Sequence, residues 1–165
     1  MDIQTRFQQA EFLMEHYADF SDFLIDGMQF LGYNVSELQL DIGDYMVSGP
    51  RLSMVQAFRG AAKSTIAMLY VIWCIIQRPS TIALMVSSGQ TFVAKLSAGI
   101  VRILMHWDIL ACYRPDRYEG DSVSISAFDI HYSLKGVNKS PSISCLSVRT
   151  GLAGNRADII VADDK

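Results

Sequence analysis

The chain has 165 residues, 50% hydrophobic and 19% charged, enough for one ordinary core and incompatible with wholesale disorder. With 14 Lys and Arg against 17 Asp and Glu, the formal charge is −3, so a nucleic-acid role would rest on a local patch or loop and not on net charge. Cys74, Cys112 and Cys145 are widely spaced and contain no C-x-x-C pair, which excludes a disulfide framework or zinc cluster and suits a reducing cytosol.

The start, Met1-Asp2-Ile3-Gln4, has neither the basic nor the apolar region of a signal peptide, so the expected setting is intracellular and globular. Residues 5–31 carry apolar side chains at helical spacing, among them Phe7, Leu13, Tyr17, Phe20, Leu24 and Met28. This predicts one long helix or two short ones ending near Gly32, with Ser21 able to cap the second. Residues 36–40 open another short helix that stops before Gly49-Pro50. The whole stretch reads as an amphipathic packing layer, Gln39 excepted.

Residues 51–58 are expected to form a strand leading into the small-residue loop Arg59-Gly60-Ala61-Ala62, with a helix over 63–77. The apolar run 66–76 is far shorter than the ~20 residues that cross a bilayer, and predicts a buried helix. Residues 81–87 read as an apolar strand and 90–107 as a second long helix. Further strands are expected over 122–130, 142–149 and 157–162, the last ending in Asp163-Asp164. Residues 113–121 and 134–141 are polar and punctuated by Gly and Pro, as loops are. Strands alternating with helices predict α/β layers around a largely parallel sheet, its strands buried on both faces.

The loop Ala57-Phe58-Arg59-Gly60-Ala61-Ala62-Lys63-Ser64-Thr65 has the layout of a Walker A motif. Such a site needs backbone N–H groups and a helix N-terminus aimed at phosphates, a lysine for the β/γ oxygens and a hydroxyl for Mg²⁺. Lys63 and Ser64 stand at the last two places, with Thr65 beside them. Ala57 and Ala62 occupy positions where the strict pattern has glycine, and a positive φ at Ala62 would cost ~1–2 kcal/mol. The alternative reading of this stretch is an ordinary strand-to-helix turn. At the other end, Ile159-Ile160-Val161-Ala162-Asp163-Asp164 is an apolar strand delivering two carboxylates, the Walker B layout, in which the first helps hold Mg²⁺ and the second polarises water. A parallel sheet aligns strand C-termini on one edge, which would bring both motifs together.

These residues resemble the large terminase subunit of tailed bacteriophages, in its short-tailed phage form. Gln56-Ala57-Phe58-Arg59-Gly60 with Ala62-Lys63-Ser64 looks like that family's deviant Walker A, which carries an arginine in the loop. The run from Gly151 to Asp164, with Arg156-Ala157-Asp158 ahead of the apolar strand, looks like its Walker B approach. Phe128-Asp129 and Ser140-Pro141-Ser142 resemble intervening landmarks, and the likeness runs from about Gln39 to Asp164.

The resemblance implies an additional-strand, RecA-like P-loop NTPase fold, a three-layer sandwich with a mostly parallel sheet that here stops after the Walker B strand. Residues 1–35 would be a helical segment and 36–165 a partial ATPase domain without its C-terminal strands and nuclease. The implied activity is ATP hydrolysis, with Mg²⁺, driving double-stranded DNA into a procapsid. The implied partners are the portal protein, the small terminase subunit and other copies in a ring, a pentamer. The place is the host cytoplasm, away from membranes and from the mature virion.

By position, Gln39 would read adenine; a solvent-facing helix residue is the other reading. Arg59 would stabilise the γ-phosphate, and Gly60, Ala61, Ala62, Lys63, Ser64 and Thr65 would line the nucleotide. Ser64 and Asp163 would hold Mg²⁺, and Asp164 would stand where many members have the catalytic glutamate. Lys135, Lys139, Arg149 and Arg156 could include DNA-facing charges, though each also reads as a solvated side chain. His16, His106 and His131 have no ligand spacing and read as structural or surface residues; Trp73 and Trp107 read as core. In the related sheet the Walker A strand is flanked by strands from beyond Walker B, so here it is expected to lack partners, and these 165 residues are expected not to turn ATP over alone at a useful rate. Two alternatives stay open: a nucleotide-binding fragment or decayed remnant without turnover, and a helicase-like P-loop ATPase.

Overall fold

The computed structural model describes residues 1–163. Asp2 accepts a hydrogen bond from the Thr5 amide at 2.9 Å and opens α1 (Ile3–His16). Asp19, not Ser21, caps α2 (Phe20–Phe30), so the N-terminal periodicity resolves into two helices. Ser36 and Gln39 form a reciprocal capping box for α3 (Glu37–Ser48), which ends ahead of Pro50, a residue that cannot donate to a continuing helix. The next helix, α4 (Lys63–Gln77), buries Ile66, Leu69, Val71, Ile72, Ile75 and Ile76, as an apolar helix inside layered structure must. An amphipathic stripe, Val93, Leu96, Ile100, Ile103 and Leu104, seats α5 (Gln90–His106). A single turn, α6 (Tyr132–Lys135), follows later.

The sheet holds β1 (Ala83–Ser87), β2 (Ala127–Phe128), β3 (Ile143–Ser147) and β4 (Ile159–Asp163) in the order β2-β3-β1-β4. β1 runs parallel to both β3 and β4, and β2 pairs antiparallel with β3. The protein is thus a mixed α/β structure with a largely parallel sheet, as expected. Ser87 lies opposite Ser147 on one side and Asp163 on the other, so three strand C-termini share one edge. One hydrophobic cluster joins α1 and α2 (Leu13, Phe20, Phe23) to α4, α5 and the sheet (Ile72, Ile103, Met85). Trp73 seals that junction, its indole N–H donating to the Tyr17 carbonyl at 2.7 Å. Among the described residues no single helix is long and apolar enough to cross a membrane.

Three expectations are corrected. Residues 51–58 form no strand; they lie outside any helix or strand and are largely exposed, with Leu52 91% and Met54 85% accessible. An extended segment becomes a strand only when a neighbour completes its ladder, and no described strand lies beside it. The strand expected over 122–130 shrinks to Ala127–Phe128 and a bridge between Val123 and Phe128. β1 is buried along its length, but β4 alternates, with Ile160 65% exposed, because β4 is an edge strand whose far face is uncovered.

Candidate functional site

Ala62 is the N-cap of α4 and takes φ 59°, ψ 30°, the only left-handed residue other than glycine among those described. Gly60, at φ 101°, makes the tight turn just before it. Among the described residues no side chain caps α4, and no acidic residue lies in the sequence of its first turn. The amides of Ala62, Lys63, Ser64 and Thr65 have no hydrogen-bond partner among the described residues; the ladder starts with the Ile66 amide on the Ala62 carbonyl. A helix start of this kind offers four aligned N–H donors and the positive end of the dipole. Lys63 adds a cation there. Its ammonium donates to the carbonyls of Ala57 (2.7 Å) and Phe58 (3.3 Å), curling back over the loop that precedes it.

The sheet register brings Asp163 to this spot. Placed opposite Ser87 at the carboxyl edge, its carboxylate accepts a hydrogen bond from the Ser64 hydroxyl, 99 residues away in sequence. Lys63, Ser64 and Asp163 line one cleft of about 420 Å³, together with Gly60, Ala62 and Thr65 from the loop and helix start. Gln39 enters from α3; its Oε1 accepts from the Ser36 amide (3.0 Å) and its Nε2 donates to the Ala61 carbonyl (3.4 Å). Its side chain therefore ties the start of α3 to the loop. Ala61 is buried beneath, outside the cleft lining. Arg59 is exposed, makes no ion pair among the described residues and does not line the cleft. Asp164, expected to activate water, lies outside the described residues.

Three cleft residues escape motif reading: Met28 from α2, and Tyr33 and Asn34 from the turn joining α2 to α3. The available signal was the shortness of that connector, between the helix stop at Gly32 and the cap at Ser36. Among the basic residues, Lys139, Arg149 and Arg156 are exposed, but Lys135 is withdrawn as a candidate DNA contact. Its ammonium is 2.7 Å from Asp129, side chains 11% and 8% exposed, and Asp129 also accepts from the Ser122 and Ser142 amides. His131 is buried and Nδ1 accepts from the Ser133 amide; burial, then the nearby Arg6 charge, hold its pKa below the ordinary histidine value. Among the described residues no three His, Cys, Asp or Glu side chains gather as a metal cluster.

Fold and cleft together define an α/β protein whose ligand-sized cavity lies at the carboxyl edge of a parallel sheet, against an uncapped helix start. No family model matches the chain. Over 130 residues, 78% of its length, it is 31% identical to the large terminase subunit of Enterobacteria phage T3, and the matched stretch spans 22% of that protein. The expected resemblance to the large terminase subunits is thereby shown, and the chain is a relative of that family.

Proposed function

We propose that this chain is the ATP-binding part of a phage DNA-packaging motor, the cleft taking the triphosphate with Mg²⁺. The observation that carries the reading is the meeting of Ser64 and Asp163 at the uncapped start of α4, beside Lys63. A lysine at the first position of a helix opposes the dipole, and unpartnered amides add to that cost; an anion seated there offsets both. Hydroxyl and carboxylate oxygens are the donors Mg²⁺ prefers. With only this pair from the protein, triphosphate oxygens and water would complete the shell. Bound there, the ion would neutralise charge on the β and γ oxygens.

The chain's own groups divide the remaining work. The amides of residues 62–65 grip the phosphates, while Lys63 exchanges its two carbonyl partners for the β/γ oxygens. Arg59, exposed and without an ion pair, is available to the γ-phosphate. Asp164 follows Asp163 directly and would polarise the attacking water. In the whole motor this hydrolysis would drive double-stranded DNA through a portal, with the small terminase subunit and further copies in a ring, in the infected cell's cytoplasm. A second reading, nucleotide binding without turnover by these 165 residues alone, is favoured by the unpaired 51–58 segment directly behind the loop. Steady Mg²⁺-dependent ATPase activity of the purified chain would rule that second reading out.

The test of the nucleotide site is ATP binding in Mg²⁺ by the chain and by Lys63→Ala. Loss of a charge-assisted phosphate contact worth ~1.5–3 kcal/mol should weaken binding by roughly ten- to a hundredfold. Equal affinities would overturn the assignment.

A further inference from the structure

Two strand-length segments of this chain lack a neighbour. Along 51–58 exposure alternates: Val55 and Ala57 pack against the core, while Leu52, Met54 and Phe58 face outward. None of the amides of residues 51–60 donates a hydrogen bond among the described residues. β4 takes β1 on one side and has no strand on the other among the described residues. Every second residue of such an edge turns its N–H and C=O outward. Between its ends β4 reads Ile159, Ile160, Val161 and Ala162, without the lysine, proline or glycine that guards an exposed edge. Charges at the ends sort the possible pairings. Arg51 and Arg59 bracket the first segment, both exposed, in no ion pair among the described residues, and with no acidic residue between them. Asp158 and Asp163 bracket the second, with no basic residue between them. Like segments side by side set cation against cation or acid against acid. Unlike segments bring opposite charges near both ends, whichever way they run.

We propose that the free edge of β4 is a docking surface for segment 51–58 of a second copy of this chain, and that two copies exchange these segments reciprocally in a closed dimer. Within one chain the segments stay apart, although both lie beside the cleft: Lys63 holds the carbonyls of Ala57 and Phe58, and Ser64 donates to Asp163 at the end of β4. A surface that carries both halves of a complementary pair on one side fits a copy of itself across a two-fold axis. Each pairing adds a strand to a four-stranded sheet and satisfies main-chain groups otherwise left to water. It also brings the outward Leu52 and Met54 beside Ile160, so apolar area leaves water with them. The pairing does not depend on what the cleft binds.

The test is sedimentation velocity of the full 165-residue chain over a range of concentrations, with amide hydrogen exchange read at both ends of that range. The mass should double as concentration rises, and the amides of 51–58 and of β4 should gain protection together, in the dimer and not in the dilute chain. Met54→Pro removes an amide that has no partner in the single chain, so the fold stays intact and the variant should remain monomeric. Ile160→Lys, at a side chain 65% exposed, guards the edge and should do the same. Arg51→Glu should weaken association about tenfold by setting acid against acid. A chain monomeric at every concentration overturns the proposal. So does protection of both segments without a change in mass, which would mean pairing within one copy. Loss of the dimer in Ile160→Lys but not in Met54→Pro would show β4 pairing with itself, and the converse would seat 51–58 on another surface; either result overturns the assigned occupant. Growth past the dimer into filaments would show head-to-tail pairing and overturn the closed exchange.

Discussion

Ala62 offers the most direct test of the loop, because glycine should have unequal effects at two adjacent alanines. At Ala62, φ 59° places Cβ where an L-residue is strained by ~1–2 kcal/mol, and Gly removes that strain. Against this, Gly adds unfolded-state freedom worth ~0.4–1 kcal/mol. A half-buried methyl is also lost, worth roughly half of the ~0.8 kcal/mol for a fully buried one. The net effect of Ala62→Gly runs from about 0.4 kcal/mol destabilising to about 1 kcal/mol stabilising. Ala61 is 3% exposed and not left-handed, so Ala61→Gly loses the full methyl and gains nothing back, costing ~1–2 kcal/mol. Ala62→Val goes the other way again, since a β-branched residue is a true outlier in the left-handed region. Urea unfolding followed by far-UV circular dichroism, with linear extrapolation, measures all three. Equal destabilisation by the two glycine substitutions would show that the left-handed turn before α4 is not formed.

Other perturbations probe the frame around the cleft. Asp129→Ala removes the acceptor of a buried lysine and two amides and should cost ~3–5 kcal/mol in the same unfolding assay, against ~0.5 kcal/mol or less for exposed Lys139→Ala. Because the folded-state pKa of His131 is lowered, the unfolded chain binds the extra proton first, and stability should fall as pH drops below about 6.5. His131→Asn should flatten that slope between pH 7.5 and 5.5, and an unchanged slope would mean that His131 is not neutral when folded. Brief chymotrypsin digestion should cut first within 51–58, at Leu52, Met54 or Phe58, since these exposed side chains lie on backbone outside any helix or strand. First cuts inside α4 or β1 would contradict the exposed course of that segment.

Much of the frame was legible in sequence because its causes are local. The 3.6-residue stripe of α5, the apolar run of α4, the helix opening at residues 36–40 and the stop at Gly32 each need only neighbours along the chain. The loop spacing from Ala57 to Thr65 named the residues that line one side of the cleft, and the left-handed demand on Ala62 followed from its place in that spacing.

Pairing and burial were decided elsewhere. Alternating Leu52 and Met54 spell a strand, yet a ladder needs a second backbone, and at 51–58 the described structure supplies none. Ile160 is as apolar as Leu84, but β1 lies between two strands and β4 beside one, so the first is covered and the second exposed. Lys135 looks like any solvated charge until the fold closes Asp129 over it. The contact between Ser64 and Asp163 depends on the register that sets Asp163 opposite Ser87. A chain's local preferences choose its helices, while contacts between residues a hundred positions apart exist only once strands have found partners, because each hydrogen-bonded ladder belongs to two segments at once.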